Sequence, residues 1–221
     1  IDSVIDAFGE PTRIDNSDYD FKWYVYNQDP DSYMMVGVKE DRICAFFSNA
    51  SSFTFGDLKS GDDYLLAYKY LEDTDFRIVK SPDGRIDAIM YNPYTKSDVT
   101  LSNDQYLRAC ELIDLINSYR VKNGLDILNV DVDLYATAYR MVPQPKYHEL
   151  ARDERFAHTM DDAQHETGYD VFAIYEKIVN SGGECFDKNS KSIGISTFVD
   201  EDFTIYASLV CDNTSAALTT E

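Results

Sequence analysis

The sequence predicts an α+β protein, and two observations carry that prediction. Aromatic and β-branched runs at residues 21–26 and 33–38 are bounded by polar residues, which is typical of antiparallel strands. Apolar residues recur at helical spacing across residues 107–119, which predicts a helix with one face packed against a core. We therefore expect an N-terminal helix-plus-antiparallel-sheet domain followed by a second, compact α+β domain.

A polar stretch separates the two predicted domains. Residues 92–103 contain Pro93 and lack any apolar periodicity, which favours a linker. A chain of 221 residues is long enough for two domains that each bury a core. The predicted domains are residues 1–98 and residues 104–221.

The first domain is predicted to begin with a helix over residues 1–8, which Gly9 ends and Pro11 follows. Its later elements follow from strand periodicity, capping residues and turn residues. In chain order they are strands at 21–26, 33–38 and 42–47, a short helix at 64–71 capped by Asp62 or Asp63, and strands at 75–79 and 85–91 joined by a turn at 81–84.

The second domain is predicted to open with the amphipathic helix, which Gly124 ends in a left-handed conformation. A second helix begins near Asp131 or Asp133, either of which can cap it, and Pro143 ends it. Residues 169–179 predict a further helix, and the chain closes with two strands.

Composition excludes several function classes. The net charge of −20 argues against nucleic acid and against anionic lipid surfaces, because both require clusters of Lys and Arg. We interpret the charge mainly as a solubility device, with cation loading or a basic partner as the alternative. No apolar run approaches the ~20 residues that a membrane span requires. Residue 1 is not Met, so we expect an export signal or anchor to have preceded it.

The four cysteines are too few for a disulfide scaffold, and none forms a C-x-x-C pair. Cys185 and Cys211 flank the last two strands and are a possible disulfide if the chain is exported. Cys110 falls on the apolar face of its helix and is interpreted as a core residue.

One short segment collects residues that could form a site: His158, Asp161, Asp162, His165 and Glu166. Two imidazoles and three carboxylates could bind a metal or transfer protons. The alternative, which we favour, is a polar surface loop that enters the helix at 169–179. The sequence has no Gly-x-Ser-x-Gly elbow and no phosphate-binding glycine loop, so enzymatic activity is unsupported.

The first domain carries a resemblance to a known family. Residues 9–13 (GEPTR), 17–27 (SDYDFKWYVYN) and 33–38 (YMMVGV) resemble the module that precedes CAP domains in extracellular proteins of Gram-positive bacteria. CAP domains are those of the cysteine-rich secretory, antigen 5 and pathogenesis-related-1 relatives, also called SCP-like.

The second domain resembles the same proteins independently, because its motifs occur in the order found in bacterial CAP domains. They are LINSYR at 115–120, Gly124–Leu125, Leu128, Leu134 and Ala138, Phe156, His158, Thr159, Glu176 with Asn180–Ser181 and Gly183, and the closing hairpin at 193–196 and 203–210. The resemblance implies a compact, degenerate CAP-like α-β-α sandwich over residues 104–221.

The resemblance also implies candidate cavity residues. CAP domains typically have two His and two Glu in a cavity that in some members binds a divalent cation. Glu176 matches one Glu, His148 and Asp162 are possible substitutes for lost members, and Glu184–Cys185 replaces the His-Arg pair. His158 belongs to a motif with a largely structural role in the family. We therefore expect no metal and no catalytic residue, with a divalent cation as the alternative.

The implied function is an exported or surface-associated, non-enzymatic binding module for an unknown small molecule or protein. One alternative is a metal-dependent hydrolase that uses the CAP groove, with Glu176 and His148 or His158 as the acid–base pair. Another is a scaffold that binds a protein partner through the first-domain sheet.

Overall fold

The structure is a computed structural model that describes residues 1–70, 75–100, 105–142 and 163–213. The chain divides into two compact units, residues 1–107 and residues 108–221.

The first unit is built on a six-stranded antiparallel sheet in the order β1-β2-β3-β4-β8-β7, with a separate two-stranded sheet of β5 and β6. The aromatic and β-branched runs form β2 and β3 as predicted, and the turn at 81–84 joins β7 to β8. The strands are β1 Arg13–Asn16, β2 Lys22–Tyr26, β3 Met34–Lys39, β4 Arg42–Ser48, β5 Thr54–Phe55, β6 Leu58–Lys59, β7 Phe76–Lys80 and β8 Ile86–Tyr91.

Two helices pack against the strands of the first unit. Helix α1 (Asp2–Phe8) buries Val4 against Met34, Val36 and Val38 of β3. A 3-10 helix (Tyr64–Tyr70) buries Ala67 in a second cluster with Leu58, Ile78, Ile86 and Ile89. Most residues of β3 and β8 are buried, so these strands do not alternate between buried and exposed side chains. Helices and loops cover parts of both faces of the sheet.

The second unit contains a four-stranded sheet in the order β10-β12-β11-β9. The strands are β9 Asn129–Val130, β10 Gln164–Gly168, β11 Ser190–Val199 and β12 Ile205–Asn213. The β11–β12 hairpin is the predicted closing hairpin, and β9 adds a short parallel edge.

Among the described residues of this part of the chain are three long helices: α2 (Gln105–Lys122), α3 (Val132–Met141) and α4 (Val171–Ser181). Gly124 follows α2 with a positive φ of 73°, as predicted. Asp131, rather than Asp133, caps α3 by accepting hydrogen bonds from the amides of Asp133 and Leu134 at 2.9 Å.

The sheet of the second unit lies between helices. Helix α3 packs on the face that presents Ala163 and Val210, and its backbone approaches Gly194 so closely that no Cβ could be accommodated there. The opposite face presents Gln164 and Gly168, which contact α4. This layering confirms the predicted α+β class and the predicted helix–sheet–helix arrangement.

One local prediction was wrong. Residues 164–168 form the edge strand β10, paired antiparallel with β12, rather than a surface loop leading to a helix. The run QHETG has low strand propensity, and the nine-residue neighbour β12 supplies its hydrogen-bond partners.

None of the helices in the described ranges combines the length and the apolarity that a bilayer crossing would take.

Candidate functional site

The candidate site is the turn that follows α4, here called the 184–190 turn (residues 184–190), where the resemblance places the His-Arg pair of CAP domains. Glu184 opens a 3-10 helix (Glu184–Phe186) and is exposed, whereas Cys185 is 1% exposed. Glu176 lies on α4 and is half-buried. The other cavity candidates, His148, His158 and Asp162, lie outside the described residues.

Two glycines determine where this turn begins. Gly182 ends α4 in the left-handed conformation, with φ of 64° and ψ of 40°, which residues with a Cβ rarely adopt. Gly183 then passes so close to the Gln164 side chain that a Cβ would collide with it. The Gln164 amide donates to Ser181 Oγ at 2.8 Å, so the edge strand β10 and the end of α4 are held together.

A fully buried arginine holds the 184–190 turn from inside. The guanidinium of Arg120, at the C-terminal end of α2, donates to the carbonyl oxygens of Cys185 at 2.6 Å, Asp187 at 3.0 Å and Ser190 at 3.2 Å. It also donates to the carbonyl of Asp126 at 2.6 Å. Burial lowers the pKa of Arg120 from its usual value, and nearby acidic groups oppose that shift.

The two cysteines that the sequence pairs are brought together. Cys211 on β12 is half-buried, and its side chain lies within hydrogen-bonding reach of the buried Cys185 thiol. Contact with Cys211, together with burial, raises the pKa of the Cys185 thiol well above its usual value. Both thiols are free in the structure.

Within the described ranges, no three His, Cys, Asp or Glu side chains lie together as a metal site requires. The turn itself presents the exposed carboxylate of Glu184, and the next side chain, Cys185, is buried in the core. The described residues alone therefore offer no cation site at this turn.

The segment that collects His165 and Glu166 does not converge. These residues are neighbours on β10, so their side chains point to opposite faces of the sheet. The other three members, His158, Asp161 and Asp162, lie outside the described residues.

His165 instead pairs with a residue that sequence reasoning did not weigh. Its Nδ1 lies 2.8 Å from Ser208 Oγ on β12. His165 is exposed at the edge strand, but partial burial of its ring lowers its pKa, and the Glu166 carboxylate opposes that shift. Ser208 is fully buried, so this hydrogen bond orients the imidazole and does not present an accessible nucleophile.

The first unit has a separate cleft with a volume of about 380 Å³. Its lining includes Asp20 and Lys39, whose side chains form an exposed ion pair at 3.0 Å. Tyr19 and Phe21 stack below it with ring centroids 5.7 Å apart, but both rings are buried and offer no exposed platform.

Arg120 is the residue of the candidate site that the sequence did not identify. It appeared only as the last letter of the LINSYR motif, although it is a charged residue next to the apolar stripe of α2. The place of this charged residue beside the apolar face of α2 was the only sign of its role in the sequence. Its hydrogen-bond acceptors are backbone carbonyls, which no sequence motif identifies.

An antiparallel sheet enclosed by helices, preceded by a separate sheet unit, is an architecture known from solved extracellular bacterial proteins. The structure resembles an extracellular protein containing a SCP domain from Bacillus anthracis (TM-score 0.66, 16% identity, covering 95% of this chain and 91% of that chain). It also resembles a cysteine-rich secretory protein from Staphylococcus aureus (TM-score 0.71, 15% identity, with the same coverage of each chain). The second unit therefore has the predicted CAP-like fold.

The sequence comparisons identify the first unit more directly. Residues 1–107 match the family described as CAP-associated N-terminal, the family that the residue motifs of the first unit resemble. The chain is also 38% identical over 61 residues to the uncharacterized membrane protein YlbC of Bacillus subtilis. That match spans 28% of this chain and 18% of YlbC, less than a fifth of the relative's length.

Proposed function

We propose that this protein is an exported or surface-associated, non-enzymatic binding module of the CAP superfamily, in which the cavity tetrad has been eroded. The observation that carries the proposal is the replacement of the His-Arg pair by Glu184 and Cys185. The element that would present an imidazole to the cavity presents an exposed carboxylate and a buried thiol instead.

The physical consequence of that replacement is a loss of reactivity. A neutral imidazole can bind zinc or exchange a proton near neutral pH, whereas a water-exposed carboxylate is a hard oxygen ligand that requires several partners to hold a cation. Cys185 cannot serve as a catalytic nucleophile towards a bound substrate, because its thiol is buried away from solvent and its pKa is raised.

Export is supported by the solved neighbours, whose titles describe an extracellular protein and a cysteine-rich secretory protein. Surface attachment is supported by YlbC, which is called a membrane protein. The net charge of −20 favours a cationic or basic ligand over an anionic one.

Metal content tests the proposal. The intact chain, expressed in medium that contains zinc, calcium and magnesium, is purified without chelator and analysed by mass spectrometry of its elements. We expect well below one metal ion per chain. The variants Glu176→Gln and Glu201→Gln are analysed beside it, since Glu201 is an exposed acidic residue of the β11–β12 turn.

One metal ion per chain that is lost in E176Q and retained in E201Q would overturn the proposal and favour the metal-dependent hydrolase. Equal loss in both variants would assign the metal to non-specific binding by an acidic surface, and the binding-module proposal would stand.

The charged cleft of the first unit favours a second candidate, a scaffold that binds a protein partner near β2 and β3. The intact chain and the double variant Lys22→Glu, Lys39→Glu would be immobilised and compared for capture of proteins from the culture supernatant. A partner that binds the natural chain and not the variant would support this candidate. Equal capture by both would count against it.

A further inference from the structure

The thiol of Cys185 is held in a fixed place by its own backbone. Its carbonyl accepts the 2.6 Å hydrogen bond from Arg120, and the 184–190 turn is closed by a hydrogen bond from Ser190 Oγ to the Glu184 carbonyl at 3.0 Å. The ring of Phe186 packs on Tyr119 with centroids 4.4 Å apart. The side chain at position 185 therefore has little freedom to turn away from the core.

Cys211 is placed by the sheet. It lies opposite Ile193 in the β11–β12 ladder and points to the same face as Ala207 and Leu209, both of which are buried. The Arg120 guanidinium lies near both cysteines, and its positive charge would stabilise a thiolate at either position. Two separate elements, a helix-terminal turn and a strand, thus direct two sulfur atoms to the same point.

We propose that Cys185 and Cys211 are a redox pair that closes to a disulfide in an oxidising compartment and links the 184–190 turn covalently to β12. The proposal does not depend on which ligand the protein binds. It gives Cys185 a role at the position where CAP domains carry the arginine of the His-Arg pair.

The chemistry is thiol–disulfide exchange with a low-molecular-weight disulfide as the oxidant. Cys211 reacts first because it is the more exposed of the two, and its thiolate attacks one sulfur of the oxidant and releases the other as a thiol. Cys185 then attacks the Cys211 sulfur of the mixed disulfide and releases the second thiol. Two protein thiols lose two electrons, which the oxidant gains, and their two protons go to the two released thiols.

The other two cysteines lie on different elements of the chain. Cys44 lies on β4 in the first unit, next to Tyr94. Cys110 lies on α2, three turns before Arg120, and is half-buried. They therefore provide matched controls, since removing both leaves only the proposed pair.

The disulfide would enclose the strand β11 and the β11–β12 turn in a loop of roughly 25 residues. Closing such a loop restricts the unfolded chain more than the folded chain, because the two sulfur atoms are already adjacent in the folded state. We expect the melting temperature of the second unit to rise by about 10 °C on oxidation.

The test uses the full chain carrying Cys44→Ser and Cys110→Ser, treated under native conditions with oxidised glutathione and analysed by intact mass and non-reducing peptide mapping. We expect the loss of two hydrogens, a single cross-linked peptide that joins Cys185 to Cys211, and a higher melting temperature that a reductant reverses. Addition of Cys185→Ser should trap one glutathionyl group on Cys211.

An unchanged mass, or stable addition of glutathionyl groups with no cross-link, would overturn the proposal. If Cys185→Ser impairs folding, Cys211→Ser supplies the same control from the exposed strand: it should block the cross-link and leave Cys185 unmodified. Rapid modification of Cys185 in that variant would show that the thiol is accessible, which contradicts its proposed place in the core.

Discussion

The two units of this chain bury charge in different ways. In the first unit, Asp15 is fully buried, and both of its carboxylate oxygens accept hydrogen bonds at 2.8 Å from Arg13, two residues earlier on the same strand. In the second unit, Arg120 is fully buried and donates to four carbonyls, the farthest 70 residues along the chain. The first charge is held by its own strand, whereas the second organises segments that only the fold brings together.

This difference predicts how strongly each unit is destabilised when its buried charge is removed. Removing one partner of a buried charge leaves the other desolvated and unpaired, which costs more than the contact contributed. At Asp15 the groups left without their partner would include the Arg13 side chain on the same strand. At Arg120 the groups left without a partner would be several backbone carbonyls in the turn that carries the candidate site.

The largest expected effect is that of Arg120→Met, which keeps the volume and removes every donor. We expect the free energy of unfolding of the second unit to fall by about 4 kcal/mol, because buried carbonyls lose hydrogen bonds to a charged donor. Hydrogen exchange of β11 and β12 measures this. Arg140→Met on the exposed face of α3 is the matched control and should change little.

Trp23, the sole tryptophan, lies in the first unit. The denaturation midpoint measured by its fluorescence should therefore be the same in R120M as in the natural chain. A cost below about 1 kcal/mol for R120M would show that the turn does not depend on the guanidinium.

The next effect in size is that of Asp15→Asn. We expect the first unit to lose about 3 kcal/mol, because Arg13 would face a neutral amide in a buried position. Asp15 lies opposite Trp23 in the β1–β2 ladder, so the tryptophan fluorescence reports the loss directly. The exposed pair of Asp20 and Lys39 is the control, and Asp20→Asn should cost less than about 1 kcal/mol. Equal costs for the two variants would contradict the comparison.

Gly194→Ala should have a smaller effect on the second unit, about 2 kcal/mol, because the added Cβ forces α3 away from the sheet. Hydrogen exchange of α3 and β11 should report it. Ser192→Ala, two residues earlier on the same strand, is the control, since its hydrogen bond to Asp212 is made by the backbone amide. Protection that is unchanged in α3 would argue against the close helix–sheet contact.

The smallest effect concerns pH. Burial lowers the pKa of His165, so the folded state binds this proton at lower pH than the unfolded state, whose value is about 6.5. Stability is therefore complete above pH 6.5 and falls as the pH decreases from there towards the folded-state pKa. NMR titration of the imidazole measures this, and His165→Asn, which keeps an acceptor near Ser208, should remove the dependence. A titration midpoint at or above 6.5 would be inconsistent with the His165 environment.

The amount that the sequence could predict differs between the units. The strands of the first unit follow from the aromatic and β-branched runs. The helix ends of the second unit follow from single residues, such as Asp131 at the start of α3 and Gly124 after α2. The strand β10 could not be predicted in this way, because the run QHETG has no strand pattern of its own. The candidate site was predicted in part: the sequence identified Cys185 and Cys211, but it did not identify Arg120 or Ser208.

The residue pattern was sufficient for the α+β class, for the longer strands of the first unit and for helix ends such as Gly124, because these depend on the period of apolar residues and on the conformational limits of a few residues. The tertiary structure alone decided that Arg120 would hold the 184–190 turn, that His165 and Glu166 would face opposite ways, and that Cys185 would meet Cys211. Each of these depends on backbone groups or strand registers that are far apart along the chain. Local residue patterns carry no information about such contacts until the sheet and its helices have packed.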